Sequence, residues 1–594
     1  NVQFDANLLA EFLFFEGYEL RTPRIDTVEL AQVFYPRLEK YNLGILCQEL
    51  GIHLEQAHSA LSDAQATAEL FLCMRQKMFQ LPKGLLERLL SLSDSLLYES
   101  YLVIEEVYQK QSILVEHDLI EVQGLFLKKE KSLLSPRKLS KDFQTNIALL
   151  DLEDRLPQAS FAQKVLDFLQ DKQIAFVQAQ TGIGKTYGYL LPALSLENEK
   201  GILLSVPTKI LQNQVIQEEA RRLEEVFHLS IHSLKGPQNY LKLDALHLAL
   251  QEEETNRLYT RFKMQLLVWL TETDTGDLDE IGQLYRYQQF LPNLVHDGKL
   301  SKDSLFWLED FWKRSQKKAR SCQLLVTNHA YLVTRLEDDP SLLEGRLLIL
   351  DEAQKILLTL ENLSQKSFLL NDIVDQLDHI MAQESGMLQR RLMESIRFEL
   401  CHLMDQFLSG KRRMCPSTTM TQLRQDFSEL DIPVIHEYQK FFCSDGEFWL
   451  SASEFSSKKV LISSSRHQRL LFSEIFPDSC QLLGISATLE ISSRVSLPEL
   501  LGFPDAAFDR LDEQFQENQE ILVVKDFPLV TEISQEDYAQ ALVNLIEEVT
   551  SLKEPILVLF TSRELLLKVS DYLSIPHLAQ YKHGEPAQLK KRFE

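Results

Sequence analysis

The stretch IAFVQAQTGIGKTYGYLLPAL, residues 174–194, decides the fold class of this chain. An apolar run suited to a buried strand, 174–179, leads into a glycine-bearing loop and then an amphipathic helix. Gly182 and Gly184 let backbone N–H groups close around phosphate oxygens, and the following helix turns its positive end on the same point. Lys185 is placed to neutralise β/γ-phosphate charge and the Thr186 hydroxyl to ligate Mg²⁺, with Thr181 and Ile183 completing the loop. Ala179 replaces the first glycine of G-x-x-x-x-G-K-[ST], but the T-G-x-G-K-T core stands in its strand–loop–helix setting. The expected ligand is ATP with Mg²⁺.

A phosphate loop needs an acidic partner on a neighbouring strand, and LLILDEAQ (347–354) supplies one. Asp351 is the expected Mg²⁺ ligand and Glu352 the residue that orients the attacking water. Further apolar β runs at 202–206, 324–327, 482–486 and 555–560 alternate with helical patterns, which predicts an α/β fold with a parallel sheet. Two stretches, 237–320 and 356–445, are rich in Leu, Glu, Gln and Lys and predict helical insertions. Residues 83–123 have a helical period, and the basic, Ser- and Pro-containing 128–141 suggests a solvated connector.

At 594 residues the chain calls for several domains. With 87 acidic residues against 62 basic ones, the net charge of −25 excludes a simple basic module that coats nucleic acid, though not an enzyme with a local basic groove. Seven cysteines form no C-x-x-C spacing, so a disulfide framework is not expected and a reducing cytoplasm fits. No apolar run is long enough to span a bilayer, and no membrane role is expected.

GILLSVPTKILQNQ (201–214), LLVTNHAYL (324–332) and LLGISATL (482–489) repeat the strand-then-helix form. In this order the segments resemble the superfamily 2 helicases, most closely the DinG/XPD branch. The resemblance makes Ser486, Ala487 and Thr488 the segment linking the nucleotide site to the DNA track. It puts Gln354 where the branch usually carries His, and Arg155 and Gln158 of RLPQ (155–158) at the adenine. It also implies an iron–sulfur cluster on four cysteines, the first following K-G-x-x-N-Y-L. KGPQNYLK (235–242) matches that stretch, but Lys242 holds the cysteine position, and Cys322 is the single cysteine between Lys185 and Asp351. No cluster is expected.

Near the start, NVQFD (1–5), Asp26–Thr27, YNLGILCQELGI (41–52) and HSALSDA (58–64) resemble, in order and spacing, the DnaQ-type 3′→5′ exonucleases. The resemblance implies Asp5 and Asp63 as ligands of two divalent metal ions, Mg²⁺ or Mn²⁺, and His58 as general base. That family's opening D-x-E would precede Asn1, and the arginines of a second helicase domain would follow Glu594, so the chain is expected to be cut inside a domain at both ends. The expected organisation is an exonuclease portion over 1–82 and a helical connector over 83–144. A RecA-like domain follows over 145–520, then the start of a second over 521–594. Altogether the chain resembles the bifunctional DnaQ-type exonuclease/DinG-type helicases of Gram-positive bacteria. That implies ATP-dependent opening of single-stranded or forked DNA and removal of nucleotides from DNA or RNA 3′ ends, in repair or replication. Two rivals stand beside it: an exonuclease gated by a nucleotide-binding module that does not unwind, and a nucleic-acid-docking scaffold with a degenerate nuclease.

Overall fold

Five of the apolar runs become strands of one sheet because each is buried on both faces, the condition under which a strand loses polar alternation. In the computed structural model they are β1 (Ile174–Gln178), β2 (Ile202–Val206), β4 (Leu324–Asn328), β5 (Leu347–Asp351) and β6 (Gln481–Ser486). Two short strands without an apolar run, β3 (Ile231–Ser233) and β7 (Ala507–Arg510), form the edges. The order is β7-β1-β6-β5-β2-β4-β3, parallel throughout. Its register sets Gln178 opposite Ser486, Ile485 opposite Asp351 and Leu350 opposite Ser205. The polar residues that end these strands therefore share one edge, the carboxyl edge where open α/β sheets bind ligands.

The structure describes residues 2–54, 59–111, 118–130, 135–171, 173–196, 201–252, 254–299, 301–382, 386–407, 413–430, 432, 435–444, 446–453, 456–465, 471–492, 495–511, 523–525, 527–550, 555–582, 589 and 593. The chain divides into two units, 1–512 and 513–594.

Within the first unit, the helices of the front end and the 237–320 insertion share one apolar core. The insertion helix Arg257–Trp269 is buried continuously from Phe262 to Trp269. Its core neighbours include Leu30 and Phe34 of the helix Thr27–Phe34 and Leu86 and Leu89 of the helix Lys83–Ser91. Ion pairs rim this core, among them Arg261 to Glu29 (3.0 Å), Arg37 to Glu280 (2.8 Å) and Lys77 to Glu272 (2.8 Å). The Gly282 N–H donates to the Pro36 carbonyl at 2.9 Å. A Cβ on Gly282 would stand 1.8 Å from the Leu38 carbonyl oxygen, so the two chains approach as only glycine allows.

Four expectations are corrected. The helical period over 83–123 ends at the helix Tyr101–Lys110, and 119–128 is an antiparallel hairpin, Leu119–Val122 with Leu125–Lys128. Nor is the basic segment after it simply a solvated connector: Lys128 pairs with Asp274 and Glu130 with Arg314, both on the insertion. The second insertion is not wholly helical. Among the described residues, the helices Leu370–Ala382, Met387–Gln406, Ser417–Ser428 and His436–Phe442 accompany an antiparallel sheet of Gln365–Leu369, Ser456–Ser465, Glu447–Ser453 and Arg413–Met414. These elements enclose a core of their own. Finally, 555–560 forms no strand. Leu557 and Leu559 are more than four-fifths exposed, and an isolated apolar run gains no ladder without a partner. The second unit otherwise packs the helices Gln535–Thr550 and Arg563–Tyr572 against each other through Ala539, Val543 and Val569.

Candidate functional site

β1 delivers the glycine loop to the carboxyl edge, and the loop holds a shape that side chains resist. Gly182 and Gly184 have φ of 86° and 83°, in the left-handed region. A Cβ on Gly184 would lie 2.3 Å from the Gln158 amide nitrogen, which donates to the Gly184 carbonyl at 2.8 Å. Gln158 is thus a buried brace under the loop. Arg155, its partner in the expected adenine contact, is exposed and 3.4 Å from Glu153. Thr181 is exposed on the loop and Ile183 packs on the sheet core. The helix Lys185–Ser195 starts at the loop's end, aiming its free N–H groups at the phosphate position.

Across the edge, Lys185 Nζ donates to Glu352 Oε1 at 3.0 Å. The second Glu352 oxygen accepts from the Gln354 amide at 2.7 Å, and the Gln354 carbonyl oxygen accepts from the Ser486 hydroxyl. Ser486 Oγ in turn accepts the Thr488 N–H at 3.0 Å. One continuous polar chain therefore runs from the phosphate loop through the D-E-A-Q turn to the S-A-T segment. Glutamine in place of histidine supplies both the donor and the acceptor it needs. Burial opposes ionisation of Glu352, but the hydrogen bonds from Gln354 and Lys185 outweigh it and hold the carboxyl below its usual range. Glu352 also adopts φ of 47°, a left-handed kink uncommon outside glycine.

Asp351 behaves in the opposite way. Burial, with Glu352 adding and Lys185 opposing, pushes its carboxyl up to about 6. Beside it the Tyr189 hydroxyl is enclosed and faces Thr186 and Asp351 without a well-formed hydrogen bond to either. An enclosed, under-used hydroxyl next to a destabilised carboxylate and a Thr hydroxyl fits a hydrated Mg²⁺ held by Asp351 and Thr186. A pH dependence follows. The raised pKa means that Asp351 is protonated below about pH 6, and a cation must displace that proton. Mg²⁺-dependent nucleotide affinity should be level above pH 7 and fall about tenfold per pH unit below 6. Titration of a fluorescent nucleotide with and without Mg²⁺ from pH 5 to 8 measures it, and a flat profile would refute the assignment.

Sequence reading missed three supports of this edge. Gln178 Oε1 accepts the Leu489 and Glu490 N–H groups at 3.0 and 3.3 Å, tying the S-A-T segment to the strand that feeds the loop. Tyr189 reads in sequence as helix core. Ser205 and His329 form a buried pair beneath the D-E-A-Q turn. All three lie inside the quoted segments, but nothing in their spacing marks them.

The nuclease candidates are less assembled. Asp63 lies in the first turn of the helix Ala60–Phe79, half-buried, its carbonyl accepting from Thr67. Asp5 lies in the helix Val2–Phe15, but its side chain, and the whole of His58, fall outside the described residues. Asp26 caps the helix Thr27–Phe34, accepting from the Val28 and Glu29 N–H groups. Among the described residues no group of three or more His, Cys, Asp or Glu side chains is arranged to hold a metal ion, so they do not by themselves fit a two-metal centre. Lys242, at the cysteine position of the cluster resemblance, pairs with Asp297 at 3.1 Å. No helix of the described residues is long and apolar enough to cross a membrane.

Comparison with known proteins adds to this geometry. The exonuclease family model matches residues 1–71 and the DEAD/DEAH box helicase model matches 157–275. The chain is 26% identical to the 3′-5′ exonuclease DinG of Bacillus subtilis over all of its own length and 76% of that protein's. It is 29% identical to the protein of the same name from Staphylococcus saprophyticus, over 64% of this chain and 42% of the relative. The Staphylococcus aureus protein is 28% identical over 56% and 38%. The chain thus spans about three-quarters of the Bacillus relative but about two-fifths of the staphylococcal ones. A solved XPD helicase is similar at a TM-score of 0.44 and 14% identity, over 74% of this chain and 78% of that one.

Proposed function

For a relative of the DinG-type 3′-5′ exonucleases that carries an exonuclease region and a DEAD/DEAH box helicase region in one polypeptide, we propose an ATP-hydrolysing DNA motor coupled to 3′→5′ nucleotide removal, acting in DNA repair or replication. The observation that carries the motor reading is the polar chain Lys185–Glu352–Gln354–Ser486. Bound nucleotide competes for Lys185, frees Glu352 to orient water and moves Gln354, which grips the segment facing the DNA track. Mg²⁺ would neutralise phosphate charge from Asp351 and Thr186. Asp5, His58 and Asp63 are proposed as the nuclease residues, and single-stranded or forked DNA as the substrate.

A second reading, an exonuclease gated by nucleotide without unwinding, is favoured by the core shared between the front-end helices and the 237–320 insertion. Such a core passes any movement of the insertion directly to the exonuclease region. The full-length protein on a forked duplex with a labelled 3′ end decides between them. The motor reading expects ATP turnover stimulated by single-stranded DNA, strand separation that needs ATP, and digestion that Asp63→Ala lowers about tenfold or more. Digestion without strand separation would leave the gated nuclease. Equal digestion by the parent and Asp63→Ala would remove Asp63 from the reaction.

A further inference from the structure

The T-N-H segment that ends β4 has no role in the chain of contacts above, yet its histidine is fully enclosed. His329 begins the helix His329–Asp338, whose N-cap Asn328 accepts the Tyr331 N–H. Its Nδ1 lies 2.7 Å from Ser205 Oγ. Ser205 sits on β2 between Thr327 of β4 and Leu350 of β5, one residue before Asp351. The other ring nitrogen, Nε2, is buried without a hydrogen-bond partner and faces the main chain of Asp351 and Glu352. Main-chain oxygens only accept, so the ring proton belongs on Nε2 and the Ser205 hydroxyl donates to Nδ1. Burial keeps the imidazole neutral, its pKa lowered to about 4, so this arrangement holds at every working pH.

A buried donor left unused is costly, and here it lies beneath Glu352, a non-glycine residue held with a left-handed backbone. The Glu352 carboxylate is itself drawn towards Lys185. We propose that His329 is a positioning residue for nucleotide turnover: its Nε2–H, oriented by Ser205, takes up a main-chain carbonyl of the Asp351–Glu352 turn when Glu352 releases Lys185 to bound nucleotide, and so fixes the Glu352 carboxylate against the attacking water. The inference rests on the ATP-hydrolysing reading and assigns one more residue to it.

Two amides at position 329 separate the two ring nitrogens. His329→Asn can keep a contact to Ser205 but has nothing at the Nε2 position. His329→Gln carries an amide nitrogen near it. The expected result is a fall of about 10²-fold in kcat for His329→Asn, the usual cost of a misplaced catalytic group. KM for ATP and the affinity for a fluorescent ADP analogue should stay within about twofold, since the phosphate loop is untouched. His329→Gln should regain about tenfold of the lost kcat, and Ser205→Ala, which frees the ring to change tautomer, should lose about tenfold. A purely structural role would instead lower affinity and kcat together. Joint loss, equal loss in Asn and Gln, or unchanged kcat in His329→Asn would overturn the proposal. Should His329→Asn fail to fold, unchanged kcat in Ser205→Ala would overturn it alone. A parent protein without ATP turnover defeats the motor reading itself, whereas a parent that turns over ATP beside an unaffected His329→Asn defeats only this inference.

Discussion

Glu352→Gln should all but stop ATP turnover while making nucleotide bind more tightly, and Lys185→Ala should lose both. The opposite signs come from the 3.0 Å contact between the two side chains. On the proposed motor reading, nucleotide engages Lys185 only when that contact breaks, so the carboxylate would both serve hydrolysis and compete with binding. Losing the group that orients water costs about 10²–10⁴-fold in rate. Removing its negative charge spares binding the loss of a partly exposed ion pair, at most about 1 kcal/mol, or up to about fivefold in affinity. Lys185→Ala removes the cation that meets the phosphates, at about 10²–10³-fold in turnover, with weaker binding. Phosphate release and titration of a fluorescent ATP analogue on both variants provide the test. Weaker binding in Glu352→Gln would mean that the carboxylate does not compete for Lys185.

The second large effect lies far from that edge. Trp269 is fully buried at the end of the insertion helix, its indole N–H donating to Glu280 at 3.2 Å. Trp269→Ala should cost about 3–5 kcal/mol, the usual price of such a cavity. Because the core it fills joins the front-end helices to the insertion, the loss should not be confined to either. On heating, nucleotide binding and 3′-end digestion are expected to fail together and at a lower temperature than in the parent. A variant that lost digestion but kept the parent's thermal midpoint for nucleotide binding would show that the two regions unfold independently.

These two sites differ in how far the sequence discloses them. The central strands are legible because a strand covered on both faces must be apolar throughout, as in Leu347–Leu350, and the glycine loop because its left-handed backbone demands glycine. The strands of the second insertion are covered on one face only. Phe448 and Leu450 point inward on one, Val460 and Ile462 on another, between serines and lysines that read as loop or helix surface. The shared core is hidden for a different reason. Lys263 and Gln265 make the helix Arg257–Trp269 look solvated, yet both are buried because the Ala249 and Pro36 carbonyls accept from them. Such partners are distant in sequence, and no local pattern announces them. The supports around Asp351 fall between these cases: Tyr189, Ser205 and His329 stand within recognisable segments, but their importance lies in what they touch.

The second insertion enters and leaves through paired strands, Gln365 opposite Ser465. Its two ends therefore meet at a narrow neck, and the roughly one hundred residues beyond it carry their own core. For protein engineering and for evolution alike this is a socket: a piece that can be exchanged or shortened to a turn without reopening the sheet that carries the nucleotide edge. The first insertion offers no such neck. Its partners are spread along the front-end helices, so a graft there would have to bring both halves of the contact at once. Diversity among such proteins should accumulate at the socket, and chimaeras cut there should fold where those cut at 237–320 do not.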